Sequence, residues 1–202
     1  MMSEAVSIKN GNIKMSSLTY AQLKKKSDSW DPSDLVSTLG FDGALCIACD
    51  MLNNEEWDTS LQEYATNLLE EVRKKYSEKW DSSWRYDALL GYAYDIILKY
   101  DERFAAYKRA FDKIIPKPPQ LLVALAGCCW APGKPPITEE EAISLVKEAI
   151  KTTLYIEGVE LLRGLYKSVG NIKEQKHWEN ILENIKKNGV HLPPLGQIPK
   201  NE

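Results

Sequence analysis

The stretch "ALLGYAYDIILKYDERFAAYKRAFDKIIP", Ala88 to Pro116, decides the fold of this chain. It reads as two helical runs meeting at a turn near Tyr100. Gly91 has no side chain, so a facing helix can come close at that point. Tyr94 and Tyr107 are the large residues placed to fill the space between the two runs. Tyr100 closes the turn, and Ala110 is small enough for a further unit to stack. Pro116 stops the second run, because proline cannot continue a helix.

Outward from this stretch the chain keeps the same character. "WDPSDLVSTLG" opens with Asp31 as cap and Pro32 at the first helical position, and Gly40 ends the turn. "DGALCIACDMLNN" reads as an apolar helix. "EEWDTSLQEYATNLLEEVRKKYSEKW" reads as one long amphipathic helix, with Trp57, Leu61, Tyr64, Leu68 and Val72 on one side. After Pro116 come "QLLVALAGCCW" and the stiff loop "APGKPP". Next is a helix opened by a capping box of Thr138 and Glu141. Gly170-Asn171 divides the last two helices. "SLTYAQLKKKS" reads as a short helix within a polar N-terminal segment. No segment alternates apolar and polar residues with period two. The expected class is all-α, in antiparallel helix pairs joined by short turns.

The positions Leu90-Gly91, Tyr94, Tyr100, Tyr107, Ala110 and Pro116 together resemble a tetratricopeptide repeat, a helix-turn-helix unit of about 34 residues. Arg103 departs from the pattern, standing where a small residue is usual, and Pro116 falls one residue late. Weaker units can be placed in the same register. Upstream, Ala48, Met51, Trp57, Ser60 and Tyr64 make one. Gly127 and Trp130 with Ala142, Val146 and Ala149 make another. Leu162, Tyr166, Gly170, Ile172 and Leu182 make a last one. The resemblance covers residues 41–188 and implies helix pairs stacked as a tetratricopeptide-like right-handed solenoid.

In that family the first helices of successive pairs line a concave groove that binds a peptide. The resemblance therefore implies a groove at Arg85, Tyr92, Asp95 and Ile96 from the best unit, and at Asp42, Leu45, Cys49 and Asn53 from the unit before it. Leu121, Ala124 and Cys128 follow, then Glu157, Glu160 and Lys167. Such a groove has an apolar middle flanked by carboxylates. It lacks the Lys/Arg/Asn set with which some members clamp a C-terminal carboxylate. Trp80 and Trp84 flank "DSS" in an inter-helix loop, and Trp30 precedes a cap. Exposed aromatics of this kind are candidate interface anchors.

Composition narrows the partners. The chain has 202 residues, 44% hydrophobic and 27% charged, with a formal net charge of −3. Acidic and basic residues are mixed, which argues against a nucleic-acid partner. No apolar run reaches a membrane span, and the first residues lack the apolar core of a signal peptide. The expectation is a cytoplasmic protein. Cys46 and Cys49 have C-x-x-C spacing, and Cys128 and Cys129 are adjacent. The bland reading is packing between helices; the alternative is a metal-binding or redox protein using all four. His177 and His191 have no zinc-site spacing, and no phosphate loop or nucleophile elbow occurs.

The chain is thus expected to be a non-enzymatic module without cofactor or metal that binds another protein. A basic client suits it, such as a toxin met by an immunity protein or an effector held by a secretion chaperone. A structural homo-oligomeric α-bundle is the remaining alternative. The expected organisation is a polar, partly disordered segment at 1–30, a helical repeat domain at 31–189, and an extended proline-containing tail at 190–202.

Overall fold

The computed structural model describes residues 18–54, 56 and 58–197. The expectations for residues 1–17 and 198–202, and for Trp57 in the amphipathic stripe and in the upstream unit, lie outside the described residues. Ten α-helices and one short 3-10 helix, and no strand, make up the described chain. They are α1 (Tyr20–Ser29), α2 (Pro32–Leu52), α3 (Thr59–Lys75), α4 (Ser77–Asp81), α5 (Trp84–Ile96), α6 (Tyr100–Lys113), α7 (Pro119–Ala126), the 3-10 helix Gly127–Trp130, α8 (Glu139–Ala149), α9 (Ile156–Ser168) and α10 (Ile172–Ile185).

Neighbours in sequence are neighbours in space. α2 packs on α3, α5 on α6, α7 on α8, and α9 on α10. Successive pairs join through α3 with α5, α6 with α7, and α8 with α9. The core follows the same order. One cluster, including Phe41, Met51, Leu68, Trp80 and Leu90, fills the space among α1, α2, α3 and α5. A second, with Trp84, Tyr107, Ala110, Leu121 and Cys128, lies among α5, α6 and α7. A third, with Ala142, Val159, Leu162 and Leu182, holds α8, α9 and α10. Each leucine fully buried here contributes about 2 kcal/mol.

Local signals explain the boundaries. Asp31 accepts the Ser33 N–H at 2.9 Å with Pro32 at the first helical position. Thr138 and Glu141 form the reciprocal cap expected of them. An equivalent box of Thr19 and Gln22 starts α1. Gly40 has φ 70°, a conformation that costs any residue with a Cβ. Helix resumes at once after it, so the expected two helices are one kinked element. α2 is the helix among those described with the length and apolarity of a membrane span; more than half of that window is buried inside the fold, as a core helix also requires.

Three expectations change. The long helix after Asp58 breaks at Tyr76, whose ring meets Phe41 edge-on at 5.8 Å. The short α4 that follows carries Trp80 to full burial. The apolar run after Pro119 tightens to 3-10 geometry at Gly127. The helical body begins at Tyr20, because α1 packs on α2 and α3 and buries Leu23 completely. Asp58 anchors it: the Tyr20 hydroxyl donates to its carboxylate at 2.7 Å and Lys24 stands 3.2 Å away.

Gly91 is the closest helix approach that the opening stretch foretold. The Tyr107 ring lies so near that a Cβ on residue 91 would overlap it. Ordinary helix propensity favours alanine over glycine by about 1 kcal/mol. Overpacking against a buried ring costs about 1–3 kcal/mol, and an overlap as deep as this one lies at the upper end of that range, beyond what the propensity gain offsets. Gly91→Ala is therefore expected to lower stability by about 1–2 kcal/mol in urea unfolding; a variant as stable as the parent would refute the close approach.

Candidate functional site

The C-terminal segment provides the most informative geometry. Beyond α10 the chain turns back over the first helices of the pairs. The Ile156 N–H donates to the Val190 carbonyl at 3.0 Å, within an isolated parallel bridge between Tyr155 and Val190. Glu157, in the first turn of α9, accepts the Leu192 N–H at 3.0 Å and meets His191 Nδ1 at 2.7 Å. Burial alone would raise the Glu157 pKa; the Leu192 N–H and His191 outweigh it and hold the carboxyl below its ordinary value. Pro193 and Pro194 are exposed and have no N–H to satisfy. Leu195 is half-buried against the cluster of Trp84, Ala88, Tyr107 and Leu121. Gly196 is buried so tightly on the Tyr92 ring that a Cβ would overlap it. Its carbonyl accepts from Asn53 Nδ2 at 2.8 Å, at the end of α2. The segment thus runs from α9, across the α5–α7 cluster, to α2.

Three residues expected in a groove, Asn53, Tyr92 and Glu157, therefore meet one C-terminal segment, Asn53 and Tyr92 at its turn of Leu195-Gly196 and Glu157 at its start. The others divide. Glu160 and Lys167 are exposed on α9. Arg85 is half-buried with its guanidinium 5.0 Å from the Trp84 ring. Asp42 is exposed but bound to Lys79 of α4 at 2.9 Å. Asp95 is ion-paired with Arg103 of α6, which is buried and also reaches the Gly127 carbonyl at 3.4 Å. Arg103 thus bridges α5, α6 and the following unit, a task that a small residue at that position would leave undone. Leu45, Leu121 and Cys128 are buried in the core rather than presented to a ligand.

The loop aromatics are a correction. Trp80 is 0% exposed and Trp84 is 8% exposed. Neither stands in a loop: Trp80 lies in α4 and Trp84 opens α5 behind the Ser83 cap. Trp84 packs in the cluster with Tyr107 and Ala110 of α6, and Trp80 is held by Asp87, a residue that no local pattern singles out. Asp87 is 1% exposed and gathers three donors. Trp80 Nε1 lies 3.3 Å and Arg109 Nε 2.9 Å from Oδ1, and Lys113 Nζ lies 2.7 Å from Oδ2. Burial would raise the Asp87 pKa, but Lys113, Arg109 and Trp80 outweigh it and hold the carboxylate below its ordinary value. No local spacing signals this cluster, because its cations lie on α6. Beside it an open cleft of about 550 Å3 is lined by Asp81, Trp84, Arg85, Lys113 and Gln120 among others.

The cysteines fall in different surroundings, with Cys46 half-buried on α2. Cys49 packs on the first cluster, Cys128 lies in the second and Cys129 in the third. No disulfide joins any of them. Burial pushes the thiols of Cys128 and Cys129 up to about 11, so both are protonated at neutral pH. Among the described residues no three His, Cys, Asp or Glu side chains come together as metal ligands would.

Comparison with protein-family models, with curated proteins and with solved structures yields no match.

Two measurements follow from these contacts. Asp87→Asn removes the charge that Arg109 and Lys113 face. Both cations keep some solvent access, so the cost at pH 7 is about 2–3 kcal/mol, below the full value for a closed pair. The native Asp87 pKa lies under its ordinary 3.8. Its contribution is therefore complete above that value and fades as pH falls through it towards the native pKa. The stability gap between parent and Asp87→Asn should narrow below about pH 4 in urea titrations; a gap independent of pH would reject the ion cluster. Separately, the thiolate is the reactive form. Mass-spectrometric footprinting with iodoacetamide at pH 7.5 should label Cys128 and Cys129 at least tenfold more slowly in the native chain than in urea.

Proposed function

We propose that this chain is a non-enzymatic, tetratricopeptide-like interaction module that binds a partner protein along the first helices of its pairs. The observation that carries this reading is the extended C-terminal segment itself. That face already holds a polypeptide, through Glu157, Tyr92 and Asn53. The residue spacing around Gly91 and the pairwise packing order support the antiparallel-pair, solenoid reading of the architecture. Burial keeps the Cys128 and Cys129 thiols protonated at neutral pH, which limits the reactivity of that pair.

Charge bears on the class of partner. Asp42 and Asp95 are matched within the chain by Lys79 and Arg103. Glu157 is likewise taken by His191 and the Leu192 N–H of the tail, so a basic client such as a toxin or a secreted effector would meet mainly Glu160, and Glu157 only with the tail displaced. An immunity or secretion-chaperone role in the cytoplasm is compatible with that, with apolar and backbone contacts supplying most of the affinity.

The test is capture of partners by the tagged full-length chain from its native cell, followed by mass spectrometry. One stoichiometric protein is expected. Reversing two exposed charges, Glu160→Lys with Lys167→Glu, leaves the core alone and should weaken that capture at least tenfold. A partner held equally well by the double variant binds elsewhere, and absence of any partner rejects the reading.

A further inference from the structure

We propose that residues 190–197 are a built-in stand-in for the partner, and that the partner's docking segment shares their chemistry. That segment is proline-containing and runs without regular structure to Pro194, then turns at a leucine followed directly by glycine. The inference rests on the interaction-module reading and adds to it the kind of peptide recognised.

The contacts behave as a recognition site rather than as ordinary packing of a chain end. Backbone groups of the tail are answered in order along its length. The Val190 carbonyl, the Leu192 N–H and the Gly196 carbonyl each find a group on α9 or at the end of α2. Main-chain pairing gives a peptide affinity without demanding its side chains. Specificity enters at two places. Leu195 enters the apolar cluster between α5 and α7. Gly196 lies where the Tyr92 ring admits no Cβ. Between the two ends, Pro193 and Pro194 keep the backbone extended and lower the entropy lost on docking.

The hold is also thin enough to release. His191 is 71% exposed at its side chain, and Val190 is 51% exposed. The two prolines face solvent, Leu192 and Leu195 are half-buried, and Gly196 alone of residues 190–197 is fully buried. A tethered tail reaches an effective concentration of about millimolar. A competing segment therefore sees its affinity reduced by the fraction of time the face is open. A tail seated nine-tenths of the time reduces it about tenfold.

The test uses the full chain with a disarmed tail, Leu195→Asp with Gly196→Val, which leaves α2, α5 and α9 untouched. The probe is a fluorescein-labelled peptide of the native sequence 188–202, "NGVHLPPLGQIPKNE", followed by fluorescence anisotropy. The disarmed chain should bind it at least tenfold more tightly than the parent chain. A probe carrying alanine in place of the glycine at 196 should bind at least tenfold more weakly. Adding Tyr92→Ala to the disarmed chain, with folding checked by thermal melting, should remove binding. Should the double tail variant fold poorly, Gly196→Ala alone provides the same comparison with a smaller gain.

Equal affinity for parent and disarmed chains overturns the proposal. So does no binding by a folded disarmed chain, or indifference to the alanine probe. Light scattering of the parent chain adds a further outcome. A dimer dissociated by the peptide would assign the tail's seat to a second copy and overturn the intramolecular reading. None of these readouts requires the natural partner. Probe binding without partner capture would reject the interaction-module reading and leave only the tail's own seat, whereas capture without probe binding would reject this inference alone.

Discussion

The contact between the Tyr107 ring and the bare backbone of Gly91 sets how α5 and α6 lie together, and the middle of the molecule is arranged around it. With that approach fixed, Tyr107 and Ala110 present a surface on which Leu121 and Cys128 of the next unit settle. On the other side of α5, Leu89, Leu90, Ala93 and Tyr94 complete the cluster built by α2 and α3. One helix thus serves two cores. Its small residues are as necessary as its large ones, because interiors packed at native density leave no room for an added methyl.

Charged groups do a second kind of structural work. Asp87 is buried at the corner between α5 and α6 with Trp80, Arg109 and Lys113 around it. Arg103 draws Asp95, Tyr100 and the Gly127 carbonyl together at the next corner. Ion pairs of this kind add little net stability over apolar packing, yet breaking one is costly. They fix which corner meets which. Both lie close to residues that a repeat reading assigns to recognition, and both turn some of those residues to internal use.

The helix boundaries were largely legible from local chemistry. Asp31 with Pro32, Thr138 with Glu141, and Gly170 before Asn171 mark helix ends, and each acts within a few residues of its own position. The failures share a cause. Tyr76 looks like the interior of an amphipathic helix until Phe41 supplies a partner for its ring. Trp80 and Trp84 look exposed because they flank serines. Trp80 is buried beside Asp87 and Trp84 against Tyr107 and Ala110 of α6, neither of which a local pattern reports. Of the groove residues, Asn53, Tyr92 and Glu157 meet on the tail, while Asp42 and Asp95 are engaged by cations from other helices.

By itself the sequence determined that the described residues are all-helical in class, where most helices start and stop, and that a facing helix can come close at Gly91. Those outcomes follow from periodicity, caps and the lack of a Cβ, which act over short distances. Only the tertiary structure decided which polar groups are left to bind something and which are used internally. It also placed the C-terminal segment. "GVHLPPLGQ" has no periodicity to read, and its backbone finds hydrogen-bond partners only when α9 and α2 are already in place. Its course across the helix pairs is therefore a property of the assembled surface.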